Sequence, residues 1–512
     1  MNKKRSSMLY GTVLLTATGL VSQGLGFLYR IALSRLIGAE IMGLYQLIMP
    51  VYSVILSITA IGLTNAVSTL SSTYHALENR KAAGQVLSQC VKAFLLLIGL
   101  TALVVVLFYD PISVYLLGDA RTQLGLLLLL PCIALTGIEN LHKHFFYGSG
   151  AVKPPAVTEL LEQFIRTAAV LGLLVVFLPQ NAERTVGLIV LGMVICEVFS
   201  ATTLLVLYQR VKRRGLGGVG EEKHLLRRKV AAIAVPIGAT ALAGNLMGAA
   251  NSVLIPQRLV AGGATVSEAM SEFGVLCGMT LPMLMLPTAF LGALGLMLVP
   301  QMAEHAALGK KQAIRDSIHG AMSATSAISL PAMAFLVVLG PTIGEALFHE
   351  PSVGDFMIPL AVAVVLDCYR TVFACTLNGI GKQPTTARIS ILCGGVQLAF
   401  TVLTVKEWGI AGYVAGFVAS DFIGAFLTAW AVQRATGLKP RIFQWVTAPG
   451  LSAVLMGLVL NLLFHVLPGY GLTAGQAAAV CIPFGIILYL AAMAAQGAIP
   501  APKGRRKQGE GK

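Results

Sequence analysis

The chain is built from long apolar runs, each about the 20 residues that a helix needs to cross a hydrocarbon core of about 30 Å. Charge and turn residues mark off about 14 of them. The first seven lie near 8–37, 44–69, 91–109, 123–141, 157–178, 185–208 and 230–255. The rest lie near 273–299, 317–339, 356–377, 389–405, 409–432, 446–467 and 475–495. In lipid no water satisfies backbone N–H and C=O groups, so each run must bond its own backbone, as a helix does. Hydrophobic residues make up 56% of the 512 residues and charged residues 12%, with mean hydropathy +0.79. A soluble domain carries about 25% charged residues, so this chain cannot clothe a soluble surface. Disordered chains are polar and are excluded too. Eight cysteines in this length rule out a secreted disulfide scaffold. The expected fold class is an all-α polytopic membrane protein with about 14 transmembrane helices.

The net charge is +15, from 37 Lys and Arg against 22 Asp and Glu. With the N-terminus placed inside, 29 of the basic residues fall on inside loops and ends. Six fall outside or near the outer face: Arg30, Arg35, Arg121, Arg184, Arg258 and Lys406. Arg166 and Arg370 stay within spans. This is the positive-inside bias of a membrane protein, with both termini cytoplasmic. It accounts for the basic charge without nucleic acid as a partner. The run after Met1–Arg5 is longer than a signal-peptide core and no A-x-A site follows, so it reads as an uncleaved first span. The cysteines fall in or beside spans with no C-x-x-C, and read as buried free thiols.

The basic, Gly-rich loop at 210–229 has six spans before it, and a repeat is visible across it. Gly148-Ser149-Gly150, Pro154 and Gln163 have counterparts in Gly379-Ile380-Gly381, Pro384 and Gln397. Arg35-Leu36 matches Arg258-Leu259. The offsets are 231, 234 and 223 residues, with six spans intervening. An even number of spans keeps the topology, so the repeat is parallel, about an axis along the membrane normal. The expected organisation is an N-lobe at 1–209, a flexible linker at 210–229 and a C-lobe at 230–432. Spans thirteen and fourteen at 433–496 and a basic cytoplasmic tail at 497–512 complete it.

Enzyme motifs are nearly absent: no H-E-x-x-H, Walker A or G-x-S-x-G. A G-x-G-x-x-G at 215–220 lies in the linker, with no strand before it. No cofactor, metal or catalytic residue is expected. The informative residues are charges at membrane depth, which pair or face a wet cavity. Glu162 and Arg166 are spaced i,i+4 and Asp367 and Arg370 i,i+3, the spacing of helix-local ion pairs. Arg30 has no acid within a turn or two and lies about 10 Å inside the outer end of span one. It either snorkels to the headgroups or lines an aqueous cavity, where its planar fork suits a phosphate. Kinking prolines (Pro50, Pro131, Pro236, Pro282, Pro287, Pro331) fit a protein that changes shape. The G-x-x-x-G pairs Gly244–Gly248 and Gly412–Gly416 read as close helix packing.

The stretch from Gly26 to Glu40, GFLYRIALSRLIGAE, resembles the opening of the stage V sporulation protein B family. So do Gly43-Leu44-Tyr45-Gln46, Pro50-Val51-Tyr52, Ile255-Pro256-Gln257-Arg258-Leu259, Leu298-Val299-Pro300-Gln301 and Leu377-Asn378-Gly379-Ile380-Gly381-Lys382. That family belongs to the multidrug/oligosaccharidyl-lipid/polysaccharide exporter superfamily. The resemblance implies two six-helix lobes around a central cavity, with two extra helices. It also implies flipping of undecaprenyl-pyrophosphate-linked sugars, with a link to spore cortex peptidoglycan. Related lipid II flippases carry an arginine in span eight. Here no Lys or Arg occurs between Arg258 and Lys310, and Gln23 follows Ser22 where they have arginine.

The function expected is therefore a non-enzymatic, monomeric flippase of the cytoplasmic membrane. Its partners are membrane lipids and an undecaprenyl-pyrophosphate-linked oligosaccharide or peptidoglycan precursor. Arg30 is the expected anion site, with Arg35 and Arg258 at the outer mouth and Asn65, Asn251 and Gln257 as sugar or peptide contacts. A cation-coupled multidrug exporter of the same superfamily would need an acid deep in the N-lobe; spans one to three have none in their apolar interiors, and no Na⁺ site is expected there. If an acid couples transport to protons, Asp421 or Glu197 is the better candidate, because Asp367 has Arg370 beside it. A membrane-embedded glycosyltransferase or polymerase would need an outer carboxylate, and Asp110, Asp119 and Glu350 lie beside short loops.

Overall fold

A computed structural model describes residues 2–177, 181–213, 217–471 and 473–497. The tail at 498–512 and Arg214 to Leu216 of the linker lie outside the described residues. The helices are α1 (Asn2–Leu56), α2 (Gly62–Ala76), α3 (Arg80–Leu107), α4 (Tyr109–Pro111), α5 (Gln123–Gly148) and α6 (Lys153–Phe177). Next come α7 (Ala182–Arg213), α8 (Lys223–Ala261), α9 (Val266–Gly274), α10 (Leu281–Leu284), α11 (Leu286–Ala307) and α12 (Lys311–Phe348). The last are α13 (Met357–Gly379), α14 (Gln383–Trp408), α15 (Ile410–Thr436), α16 (Ala448–Val466) and α17 (Ala474–Ala495). Among the described residues there is no strand.

Twelve helices among the described residues are long and apolar enough to cross a membrane. The chain is thus a multi-pass, all-helical membrane protein. One of the twelve runs from Ala17 to Ala76. Its 60 residues amount to about 90 Å of helix, enough for two crossings. The turn falls at Gly38, whose φ of 74° and ψ of 176° belong to a region that only glycine enters readily. The expected eighth run is divided among α9, a π turn at Val275–Thr280, α10 and α11. Pro282 and Pro287 open α10 and α11, where a missing N–H costs nothing. Pro50, Pro131, Pro236 and Pro331 lie inside helices.

The contacts divide the chain into two compact units. The first comprises Met1–Met279 with Gly394–Tyr413, and the second Thr280–Cys393 with Val414–Lys512. In the first, α5 packs on α7, α6 on α7, and α2 on α5 and α8. Its tightest crossing joins α1 to α9. A Cβ on Gly43 would lie 2.0 Å from the Met270 carbonyl oxygen, and one on Gly274 2.0 Å from that of Ala39. Neither position admits a side chain. In the second unit, Leu298, Met302, Ile318, Met322, Phe373 and Leu377 pack around Trp445. The two final helices close against α12, where Leu330 and Ala334 meet Met456, Leu460, Cys481 and Tyr489. All eight cysteines are free thiols, six of them buried.

The linker departs from expectation. From Gly217 to Glu221 it is docked onto the end of α2 and the start of α3. The Lys81 N–H donates to the Gly217 carbonyl at 3.0 Å, and the Glu221 N–H to Gln85 Oε1 at 2.8 Å. The Glu221 carboxylate takes hydrogen bonds from the Tyr74 hydroxyl and the Lys229 ammonium. Glycine lets the backbone approach Asn79 here, which composition alone reads as looseness: a Cβ on Gly218 would lie 2.9 Å from the Asn79 Cα.

Candidate substrate cavity and buried charge clusters

Within the first unit, α1 beyond its turn, α8 and the end of α9 enclose a cavity of about 260 Å³. Gln46 and Ser53 line it from α1, Asn245 and Ser252 from α8, and Phe273 and Cys277 from the α9 side. The Gln46 Nε2 is buried without a hydrogen bond. Asn245 donates to Ser57 Oγ and to the Ser53 carbonyl. Gly248 also lines the cavity. A Cβ on Gly244 or Gly248 would meet nothing within 4 Å. This G-x-x-x-G therefore leaves space rather than closing a helix seam, contrary to expectation. At Gly412 the expected close packing holds, with the Thr404 backbone 2.7 Å from a Cβ built there.

Arg30 lies on α1 ahead of the Gly38 turn. It is half-buried and has no hydrogen bond or ion pair among the described residues. Tyr45 and Cys277 are within electrostatic range of it, and Cys277 lines the cavity. A cation in that position keeps its full hydrogen-bonding capacity for an anion.

The other expected contacts are not gathered around it. Arg35 is exposed. Asn65 donates to the Ile61 carbonyl of its own helix at 2.9 Å. Asn251 accepts from Thr401 Oγ1 at 2.8 Å. Gln257 donates to the Leu116 carbonyl at 2.9 Å and so pins the loop before Gly118. Arg258 is half-buried. In the same loop, Arg121 bridges Asp119 and Glu40, each at 2.7 Å. Gln46 and Asn245 went unmarked in the sequence. The signal was present for Gln46, which closes the Gly43-Leu44-Tyr45-Gln46 block.

Two clusters of charge lie at membrane depth. In the first, on α5, α6 and α7, Lys143 reaches Glu139 at 3.0 Å and Glu159 at 3.8 Å. Arg166 binds Glu162 one turn away, and also reaches Glu197 at 3.4 Å and the Cys196 sulfur at 3.5 Å. In the second, Arg370 Nε binds Asp367 at 3.2 Å and Nη2 reaches Asp421 on α15 at 3.4 Å. The helix-local pairs are thus there, but each arginine also ties a second helix. The contrast drawn between Asp367 and Asp421 does not hold, since one guanidinium serves both. Glu197 Oε2 and Asp421 Oδ2 remain buried without a hydrogen bond.

These clusters also obey the repeat. Asp367 follows Glu139 by 228 residues, Arg370 follows Lys143 by 227, and Asp421 follows Glu197 by 224. Glu162 and Arg166 have no such partners, because α14 carries no charge between Arg388 and Lys406. The donor atoms of Glu162, Cys196 and Glu197 lie within 4.8 Å of one another, close enough to hold a metal ion. The Arg166 guanidinium already binds this set, so it supplies the positive charge that a metal would bring.

Residues 8–305 match the family model described as polysaccharide biosynthesis protein. Stage V sporulation protein B of Bacillus subtilis is 23% identical over 452 residues, 86% of each chain. Lipid II flippase MurJ of the same organism is 24% identical over 496 residues, 90% of this chain and 89% of that one. Among solved structures, an inward-facing multidrug resistance MATE family transporter of the MOP superfamily gives a TM-score of 0.70 at 13% identity. That match covers 83% of this chain and 98% of the other.

Proposed function

The chain belongs to the polysaccharide biosynthesis protein family, and we propose that it flips a lipid-linked oligosaccharide or peptidoglycan precursor across the cytoplasmic membrane. The carrier lipid is of the undecaprenyl-pyrophosphate type. The process served is cell-wall, polysaccharide or spore cortex synthesis. One observation carries the reading: Arg30, half-buried and unpartnered among the described residues, in range of Cys277 on a polar-lined cavity. A pyrophosphate docked there exchanges water for two parallel charge-assisted hydrogen bonds. Gln46, with its free amide N–H groups, is positioned for the sugar. Flipping makes and breaks no covalent bond, in keeping with the missing enzyme motifs.

In this reading the protein works as a monomer with both termini cytoplasmic. The lobes at 1–209 and 230–432 open the cavity alternately to each side, and spans thirteen and fourteen follow them. Glu197 and Asp421, equivalent in the repeat, are the residues through which protons would couple to transport. The transporter-like fold also accommodates a cation-coupled multidrug exporter. The sequence relatives favour the flippase, and spans one to three hold no interior carboxylate.

The test is reconstitution of the purified chain in liposomes with a fluorescent undecaprenyl-pyrophosphate oligosaccharide. Movement of the label is read with a membrane-impermeant quencher. Protein-dependent movement is expected. Efflux of cationic drugs driven by a Na⁺ or proton gradient, with no movement of the lipid-linked sugar, would transfer the protein to the exporter class.

A further inference from the structure

A second cavity, of about 530 Å³, lies in the first unit between α3, α8 and the π turn at Ser57–Ile61, toward the side that the expected orientation places inside. Its two ends differ in chemistry. At one end stand Lys92 and Arg227, both exposed, with Gln89 between them. Arg227 Nε donates to Gln89 Oε1 at 3.4 Å, which turns the guanidinium across the groove toward α3. Lys92 has no partner among the described residues, and no carboxylate lines the cavity.

From this end the walls become apolar. Leu96 and Leu97 follow on α3, and Val230, Ala234 and Val235 on α8. The lining extends eight residues along α3, from Gln89 to Leu97, about 12 Å. On α8 it extends eleven, from Arg227 to Gly238, about 16 Å. Leu96 is 65% exposed and Val235 66%, so the groove is open beside them. Three small residues, Gly62, Ala93 and Ala231, also line it. The hydroxyls at the deep end already donate to their own helix, Ser57 to the Ser53 carbonyl at 2.8 Å and Thr59 to the Ile55 carbonyl at 2.7 Å.

We propose that this groove is a binding site for an anionic phospholipid of the inner leaflet, with its phosphate between Lys92 and Arg227 and one acyl chain along Leu96, Leu97 and Val235. Two unopposed cations at headgroup level complement one phosphate, and basic pockets of this kind between helices hold anionic lipid headgroups. The deep end offers hydrocarbon and no free hydrogen-bonding group, which suits a lipid chain and not a sugar. The transported substrate is a poor fit for the same reason, since its headgroup would find only Gln89 beside the two cations. The site stands independently of the flippase reading, because lipid retention can be measured without transport.

The experiment is native mass spectrometry of the full chain released from detergent. The protein is equilibrated with phosphatidylglycerol and phosphatidylcholine of equal chain length. The wild type is expected to retain phosphatidylglycerol preferentially. In Lys92→Gln/Arg227→Gln the preference should fall by about 30-fold, the effect of two basic residues near an anionic surface. The swapped pair Lys92→Arg/Arg227→Lys should keep it, which guards against a folding artefact. Ala231→Trp, which puts a bulky ring on the groove lining and leaves both cations, should reduce retention of either lipid. Unchanged preference in the Gln pair would overturn the proposal. So would displacement of phosphatidylglycerol by equimolar undecaprenyl pyrophosphate, which would make the groove part of the substrate path.

Discussion

Arg30 and Arg166 are both arginines at membrane depth, and their surroundings give them opposite roles. Arg166 binds Glu162 and reaches Glu197, so it holds two helices together. Removing one partner of a buried pair leaves an uncompensated charge and costs about 3–5 kcal/mol. Arg166→Ala should therefore lower the folded yield and the thermal midpoint in detergent. A wild-type midpoint would show the pair to be dispensable. Arg30 satisfies no neighbour among the described residues, so Arg30→Ala should leave the midpoint unchanged and abolish flipping in liposomes. Arg30→Lys keeps the charge, loses the fork and should fall in between. Wild-type flipping by Arg30→Ala would make Arg30 an outer-surface anchor. The i,i+4 pair was legible because helix spacing is written in the sequence. The reach to Glu197 was not, since it crosses from α6 to α7, and spacing says nothing about which helices adjoin. The equivalence of Glu139 with Asp367 and of Lys143 with Arg370 was legible in principle, at the same offset as the loop motifs.

At the scale of the helices, glycine shows where sequence pattern succeeds and fails. Gly244 and Gly248 have the spacing of a packing seam yet face open space, whereas Gly43 and Gly274, with no shared motif, make the closest contact. A motif on one helix cannot state what the neighbouring helix brings to it. Opposite outcomes follow for the same substitution. Gly274→Ala should destabilise by about 1–3 kcal/mol or more, as overpacking does, because its Cβ would meet backbone and not a movable side chain. Gly244→Ala, inside α8 with space around it, should be neutral or stabilise by up to about 1 kcal/mol. Thermal scanning of both variants in one detergent decides the matter, and a reversed order would show that the helix contacts are wrongly placed. The docked linker teaches the same lesson: Gly218 lies against Asn79 and Gly220 against Gln85 of α3, where a Cβ would clash. Glu221→Gln removes the charge that meets Lys229 and should increase proteolytic nicking between Gly217 and Glu222, read by gel.

Over the whole molecule, the helical class and the membrane location were readable, because hydrophobic length reports directly on the bilayer. The compact units were not: they cut at Met279, Cys393 and Tyr413 and not at the basic linker. Hydropathy marks where spans are, and their partners are chosen by side-chain shape. Transport itself should respond to voltage. An inside-negative potential does about 2.3 kcal/mol of work per net charge per 100 mV, so it should speed outward movement of an anionic substrate. Reversing an imposed potassium diffusion potential should slow it, and equal rates at both polarities would mean that no net charge crosses. The geometry of α1 bears on how that charge is handed over. The helix is held against α9 at Gly43, and five residues earlier Gly38 has open space around it and a backbone that only glycine enters readily. Arg30 lies about 12 Å beyond Gly38 along α1, so a swing of about 20° at this fulcrum would carry it about 4 Å, more than a hydrogen bond's length. A small stroke of this lever is enough to grip a phosphate or let it go.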